Sequence, residues 1–370
     1  MAKIYLDYNA TAPLRPNVLA AMTEVLGQCG NPSSVHGFGQ AARARIEAVR
    51  EKIARFVNCT PNQIIFTSGG TEANNTAVIG CGRSRVLVSA IEHDCVKKAK
   101  ADAEVIPVTA DGIVDLMALE KMLAANPLPA LVAVMLANNE TGVIQPVAEV
   151  VKIAKKYGAL VHCDAVQALG KMPVDFMALG VDMLALAAHK VGGPLGVGAL
   201  IFNDAVPLQA YLRGGGQERS RRAGTVNVPA VAGFGALIDA LAACMDSEIG
   251  HYRDLQQRLE SGLPDGRVPG QNAPRLPNVT CWYTPQRSAM PQLMQLDLAG
   301  IAVSSGSACS SGTVKPSSVL KAMGFSENEA SCALRLSWGW QSTAADIDTC
   351  LLKLRQIAAN SNTTPQSVSA

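Results

Sequence analysis

The sequence predicts an α/β protein with a mostly parallel sheet of seven strands, followed by a smaller α+β domain. Two observations carry this. Between about residues 60 and 205, short β-rich runs alternate with helical stretches, the pattern of a doubly wound parallel sheet. The Pro/Gly-rich stretch "GLPDGRVPGQNAPRLPN" (262–278) then breaks that pattern and marks a domain junction.

The seven runs, in order, are "QIIFTS", "RVLVS", "AEVIPV", "ALVAVML", "ALVHC", "VDMLAL" and "VGALIF". "DLMALEKMLA" and "PVAEVVKIAKKY" read as amphipathic helices between them, and a long helix is expected from about 230 to 262. Beyond the junction, "NVTCWY" and "CALRLS" read as strands, and "AMPQLMQLDLAG" and "AADIDTCLLKLRQIAA" as helices. The domains expected are 15–255 for the large one and 1–14 with 256–360 for the small one. The end of the chain, "NSNTTPQSVSA", reads as a disordered tail.

Hydrophobic residues make up 48% and charged residues 17% of the 370, a balance that fits a folded globular protein. The formal net charge of +2 gives no reason to expect nucleic acid or an anionic membrane as partner. The most apolar long run (228–245) contains Pro229 and Asp239 and reads as a buried helix rather than a bilayer span. The N-terminus lacks the apolar core of a signal peptide, so a cytoplasmic location is expected. None of the ten cysteines forms a CxxC pair. Cys81, Cys244 and Cys350 sit in apolar or helical contexts, where cysteine acts as a small hydrophobe. Cys309 differs, because "SSGSACSSGT" surrounds it with serine, glycine and alanine.

Four features fall at the ends of expected strands. "FTSGGTEANN" (66–75) leads from a strand through two glycines into a helix, which suits phosphate but also an ordinary tight turn. Asp164 ends a buried strand, with Gln167 a turn later; such an acid caps a helix or pairs with a protonated cofactor ring. Lys190 lies between an apolar strand and a Gly-rich turn. It either snorkels to solvent or, desolvated, offers an amine for Schiff-base chemistry. His93 is either structural or an imidazole that stacks on a planar cofactor and moves protons near neutral pH. Together, a phosphate turn, an aspartate and a lysine match the needs of pyridoxal phosphate better than those of any other cofactor.

With "YLDYNATAPLRP", "NPSSVHG", "TSGGTEANN", "IEHDCV", "LANNETGVIQPV", "HCDAVQALGK", "AHKVGGPLGVGAL", "GGGQERSRRAGTVNVP", "SSGSACSSG" and "ALRLSWG" in one order, the chain resembles the cysteine desulfurases of the NifS/IscS type. These are pyridoxal phosphate enzymes with the type I transferase fold shared with class V aminotransferases. The resemblance implies Lys190 as the Schiff-base lysine, Asp164 as partner of the pyridine nitrogen, His93 stacked on the ring and Gln167 bonded to the ring hydroxyl. It implies Gly70, Thr71 and His189 at the phosphate, joined by Thr225 of a neighbouring subunit in a homodimer. Arg335 would take the substrate carboxylate, for which a guanidinium fork is well shaped, with Asn139 beside substrate and cofactor. Cys309 corresponds to the nucleophile.

The implied reaction removes sulfur from L-cysteine, leaving L-alanine and a persulfide on Cys309 that passes to an acceptor or scaffold protein, with iron–sulfur cluster assembly as the expected use. Lys190 is the expected base at the α-carbon, and His93 a candidate for removing a thiol proton. Small residues flanking Cys309 suit a segment that travels between pocket and surface. No resident metal is expected, and a transient role for Cys309 as an iron–sulfur ligand is left open. A selenocysteine lyase, another class V enzyme and a non-catalytic scaffold are the alternatives. Three departures stand out. Ala187 replaces the serine usual three residues before the lysine, Trp340 stands where many relatives carry arginine, and the C-terminal end does not resemble the extension that docks a scaffold in some relatives.

Overall fold

The computed structural model describes residues 3–306 and 316–361. The strands are β1 (Ile4–Tyr5), β2 (Ile64–Thr67), β3 (Arg85–Ser89), β4 (Glu104–Ile106), β5 (Ala130–Ala133), β6 (Leu160–Asp164), β7 (Met183–Ala187), β8 (Gly198–Phe202), β9 (Val279–Tyr283), β10 (Ile301–Ala302), β11 (Ser304–Ser305) and β12 (Ala333–Ser337). All seven runs expected between 60 and 205 enter one seven-stranded sheet, in the order β2-β8-β7-β6-β5-β3-β4. β8 alone runs against the direction of the other six strands. Strands β2, β3, β5, β7 and β8 are buried at every residue, as a sheet covered by helices on both faces requires.

The packing follows from that. Leu87, Val132, Val161, Leu184 and Ile201 face one core with Val49, Ile53, Phe234 and Leu237 from the helices Gly37–Phe56 and Val228–Gly262. Val86, Leu131, Met183 and Leu200 face the other side, toward Ala73 and Ala77 of the helix Gly70–Gly80. The run read as a buried helix is the first half of Val228–Gly262, which starts at the capping side chain of Asn227. Its second half sends Tyr252, Leu255 and Leu259 into a separate core with Leu6, Trp282, Leu334, Trp338 and Leu354.

That second core lies on the antiparallel sheet β11-β12-β9. The N-terminal β1 pairs in parallel with β10. Trp340 acquires a packing role: its Nε1 donates to Pro13 O at 3.1 Å, and its ring lies 5.4 Å from the Arg15 guanidinium. The last helix, Ala344–Ser361, runs further than the sequence suggests. Asn360 and Ser361 are helical, because Leu354 and Ile357 anchor this helix in the second core. The rest of the expected tail, 362–370, lies outside the described residues.

Candidate active site

The carboxyl ends of the parallel strands converge, which is where open α/β sheets bind ligands. After β2, Gly69 takes φ +152° and Gly70 opens the helix Gly70–Gly80. A Cβ on Gly70 would come within 2.8 Å of the Val166 side chain, so a larger residue there would have to displace it. The helix start leaves its first N–H groups outside the helical bonding pattern, beside Thr71.

Asp164 ends β6 and is 7% exposed. Its Oδ1 accepts from Val166 N at 2.9 Å and its Oδ2 from Asn74 Nδ2 at 2.7 Å. Burial pushes its pKa up, while these two donors and the charges of His93 and Lys190 pull it down. The Asn74 amide continues the chain: its Oδ1 lies 2.8 Å from Nε2 of His162, a ring buried in β6. Because that oxygen can only accept, the His162 proton sits on Nε2. Burial holds His162 neutral, with a pKa of about 4.

His93 caps the short helix Asp94–Lys97. Its Nδ1 accepts from the Cys95 backbone N–H at 3.1 Å, and the Cys95 Sγ lies 3.0 Å from the same nitrogen. A neutral His93 therefore carries its proton on Nε2 and offers an N–H there. Burial lowers its pKa, Asp164 raises it and Lys190 lowers it.

Lys190 follows β7 in the turn Ala188–Val191. Its Nζ donates to Asn9 O and Ala10 O, both at 2.8 Å. Burial first, then the Arg335 charge, depress its pKa to about 8. His189 lies beside Thr11, Nδ1 to Oγ1 3.3 Å, and burial holds it neutral with a pKa of about 4.

Asn9 ties the site together. Its carbonyl also accepts from Gln167 Nε2 at 3.0 Å, its Oδ1 from Lys171 Nζ at 3.0 Å, and its Nδ2 donates to Asn139 O at 3.1 Å. Lys171 donates as well to Gln167 Oε1 at 2.8 Å, which fixes the Gln167 amide. Arg335, on β12, is 4% exposed. Its guanidinium donates to Asp7 Oδ1 at 2.8 Å and Asn139 O at 3.2 Å, while the buried Nε has no partner. Thr225 is exposed; among the described residues, this network does not reach it. Cys309 lies outside the described residues.

The donor set fits pyridoxal phosphate. It holds a buried carboxylate for a protonated ring nitrogen, a desolvated lysine resting on two carbonyls, a glycine turn at a helix start, and a buried guanidinium whose Nε–H has no partner. Asn9, Asn74, His162 and Lys171 went unnoticed in the sequence. Only Lys171 left a signal, its i,i+4 spacing from Gln167.

The family model described as aminotransferase class-V matches residues 4–350. This chain belongs to the class-V aminotransferase family. Among class-V relatives, a protein named cysteine desulfurase from Cereibacter sphaeroides is 40% identical, over 95% of this chain and 94% of that relative. An IscS-like cysteine desulfurase from Mycobacterium tuberculosis is 38% identical, over 94% of each chain. A solved NifS-like protein from Rickettsia africae superposes on 96% of this chain and 99% of its own, with TM-score 0.90 and 36% identity. A structure described as SspA in complex with cysteine matches with TM-score 0.76 and 28% identity, covering 90% of this chain and 98% of that one.

Proposed function

We propose that this class-V enzyme is a cysteine desulfurase that moves the sulfur of L-cysteine onto Cys309. The observation that carries this reading is a strand register. Ser304, in the strand leading to Cys309, pairs with Arg335, the guanidinium suited to a substrate carboxylate. The thiol-bearing segment thus leaves the fold beside the amino acid site, a placement that transamination does not need. The relatives named cysteine desulfurases at about 40% identity support it.

Bound pyridoxal phosphate supplies an aldehyde for the substrate amine and a ring that withdraws electrons from the substrate α-carbon. The residues suited to hold it are Lys190 at the aldehyde, Asp164 at the ring nitrogen, and Gly70, Thr71 and His189 at the phosphate. Gln167 and His93 complete the pocket. Arg335 and Asn139 orient the amino acid. Lys190, with its depressed pKa, takes and returns protons at the α-carbon near neutral pH. Neutral His93, its Nδ1 bonded by the Cys95 N–H, offers an Nε2–H as a hydrogen-bond donor.

In the net reaction the carbon–sulfur bond of cysteine breaks and a sulfur–sulfur bond forms on Cys309. The β-carbon gains a hydrogen and is reduced to the methyl of alanine, and the two electrons that reduce it come from the two sulfurs, which end as a persulfide. A thiol acceptor or an added reductant then removes the outer sulfur.

The reading extends to a homodimer, with exposed Thr225 completing the phosphate site of a second copy, and to a sulfur-accepting protein partner, with iron–sulfur cluster assembly as the use. The nine described cysteines are all free, which supports work in a reducing, cytoplasmic compartment. The test is direct. Purified protein should be yellow and release sulfide and alanine from L-cysteine with a reductant. Lys190→Ala should lose the colour, and Cys309→Ser should keep it while releasing no sulfide. Sulfide release by Cys309→Ser at the wild-type rate would rule out the nucleophile, and protein that takes up no pyridoxal phosphate would rule out the enzyme.

A further inference from the structure

Glu140 follows Asn139 in a turn that Asn138 holds shut. The Asn138 Oδ1 accepts from the N–H groups of Glu140 and Thr141, both at 2.9 Å, and its Nδ2 donates to Ile91 O at 3.2 Å. This directs Glu140 inward, where it is 3% exposed. A buried carboxyl is costly unless it is well bonded. Its Oε2 accepts a hydrogen bond from Ser317 Oγ, which itself accepts from Leu320 N at 3.0 Å and caps the helix Ser318–Ala322. Gly306 abuts the same oxygen: a Cβ there would collide with Glu140 Oε2 and stand 2.9 Å from Ser317 Cβ.

Gly306 and Ser317 flank residues 307–315, which include Cys309. Both flanks are fastened to the site. Ser304 and Ser305 pair with Arg335 and Leu334. Lys97, on the helix that His93 caps, donates from Nζ to Ser318 Oγ at 3.3 Å. One carboxyl group therefore lies against both ends of the thiol-bearing segment and, through its own backbone, next to Asn139.

We propose that Glu140 is a positioning residue for sulfur transfer, tying both chain ends of the Cys309 segment to the turn that carries Asn139. The proposal rests on the desulfurase reading and adds a residue to it that touches neither substrate nor cofactor. Fixed ends restrict where the thiol starts its approach, and a misplacement of about 1 Å at a reacting atom can cost on the order of 100-fold in rate.

The test uses the pyridoxal phosphate-loaded protein and compares wild type, Glu140→Ala, Glu140→Gln and Ser317→Ala. Three quantities are measured: the absorbance change on adding L-cysteine, the rate of persulfide formation on Cys309 by mass spectrometry, and the rate of Cys309 alkylation by iodoacetamide without substrate. Glu140→Ala should keep cofactor colour and its response to L-cysteine, yet form persulfide at least about 10-fold more slowly and alkylate at an altered rate. Glu140→Gln, whose amide oxygen still accepts from Ser317, should stay near wild type. Ser317→Ala should resemble Glu140→Ala, and the double variant should be no worse than either, as for residues acting as one unit.

Wild-type persulfide rates in Glu140→Ala would overturn the proposal. So would a defect that Glu140→Gln shares in full, or one that comes with loss of the cofactor. If Glu140→Ala fails to fold, Ser317→Ala carries the same comparison. Wild-type protein that forms no persulfide would refute the desulfurase reading. The alkylation rates would still decide on Glu140, because equal rates in all variants would overturn its role.

Discussion

Asn74 donates a 2.7 Å hydrogen bond to Asp164, 90 positions further along the chain. The same side chain accepts from His162 on its other face, so one amide bridges two buried groups of β6. Removing it as Asn74→Ala leaves Asp164 Oδ2 and His162 Nε2 without their partner, at about 1–3 kcal/mol for each group. The expected result is an unfolding free energy lower by about 3 kcal/mol in urea titration, with weaker cofactor retention. Asn74→Asp should not rescue it, since a carboxylate cannot donate to Asp164. Undiminished stability in Asn74→Ala would refute this account.

Two buried groups tilt stability with pH in opposite directions. Burial depresses His162 from 6.5 to about 4, so between these values the unfolded chain binds the extra proton and stability falls as pH falls. Burial, with Asp164 nearby, raises Glu92 from 4.5 to about 8. There the folded chain holds the extra proton, and stability falls as pH rises through that window. At full extent the effects are on the order of 3 kcal/mol for His162 and 5 kcal/mol for Glu92. Unfolding free energies at pH 4, 6.5 and 8 should show Glu92→Gln losing less than wild type between 6.5 and 8, and His162→Gln losing less between 6.5 and 4. An unchanged slope in either variant contradicts the assignment.

Lys190 must be neutral to attack an aldehyde. With its pKa near 8, capture of pyridoxal phosphate by cofactor-free protein should accelerate through pH 8 and level off above it, whereas an ordinary lysine would keep accelerating toward 10.5. Arg335 is one cause of the depression, so Arg335→Leu should move the midpoint upward. Stopped-flow absorbance reads both, and a midpoint that stays put in Arg335→Leu would remove Arg335 as the cause.

Ala187 ends β7 with its Cβ 3.7 Å from where a Cβ on Gly70 would stand. A hydroxyl there faces the glycine turn. Ala187→Ser should tighten pyridoxal phosphate binding by about 1 kcal/mol, roughly 5-fold, in equilibrium dialysis. Unchanged affinity would count against phosphate binding at Gly70 and Thr71.

What the sequence made legible were residues whose local pattern states their role. The apolar runs and the paired glycines of "FTSGGTEANN" marked strand ends, and Asp164, Lys190 and His93 stood on them. Hidden were residues whose meaning comes from packing between distant segments. His162 looks like one more strand residue until the helix Gly70–Gly80 brings Asn74 against it. Lys171 would ordinarily point to solvent, yet Asn9 and Gln167 hold it inside. Glu140 sits in the polar string "NNETG", which suggests an exposed turn, and only the bonds to Asn138 direct it inward.

Asn9 has a consequence for synthesis. Its backbone N–H is bonded by Ser337 Oγ at 3.0 Å, 328 residues later, and its other partners come from residues 139, 167, 171, 190 and 278. The turn at Asn9 is thus completed by a side chain 328 positions further along the chain. A nascent chain can form the seven-stranded sheet, whose strands lie between residues 64 and 202, while the Asn9 turn stays unfinished until Ser337 has been added.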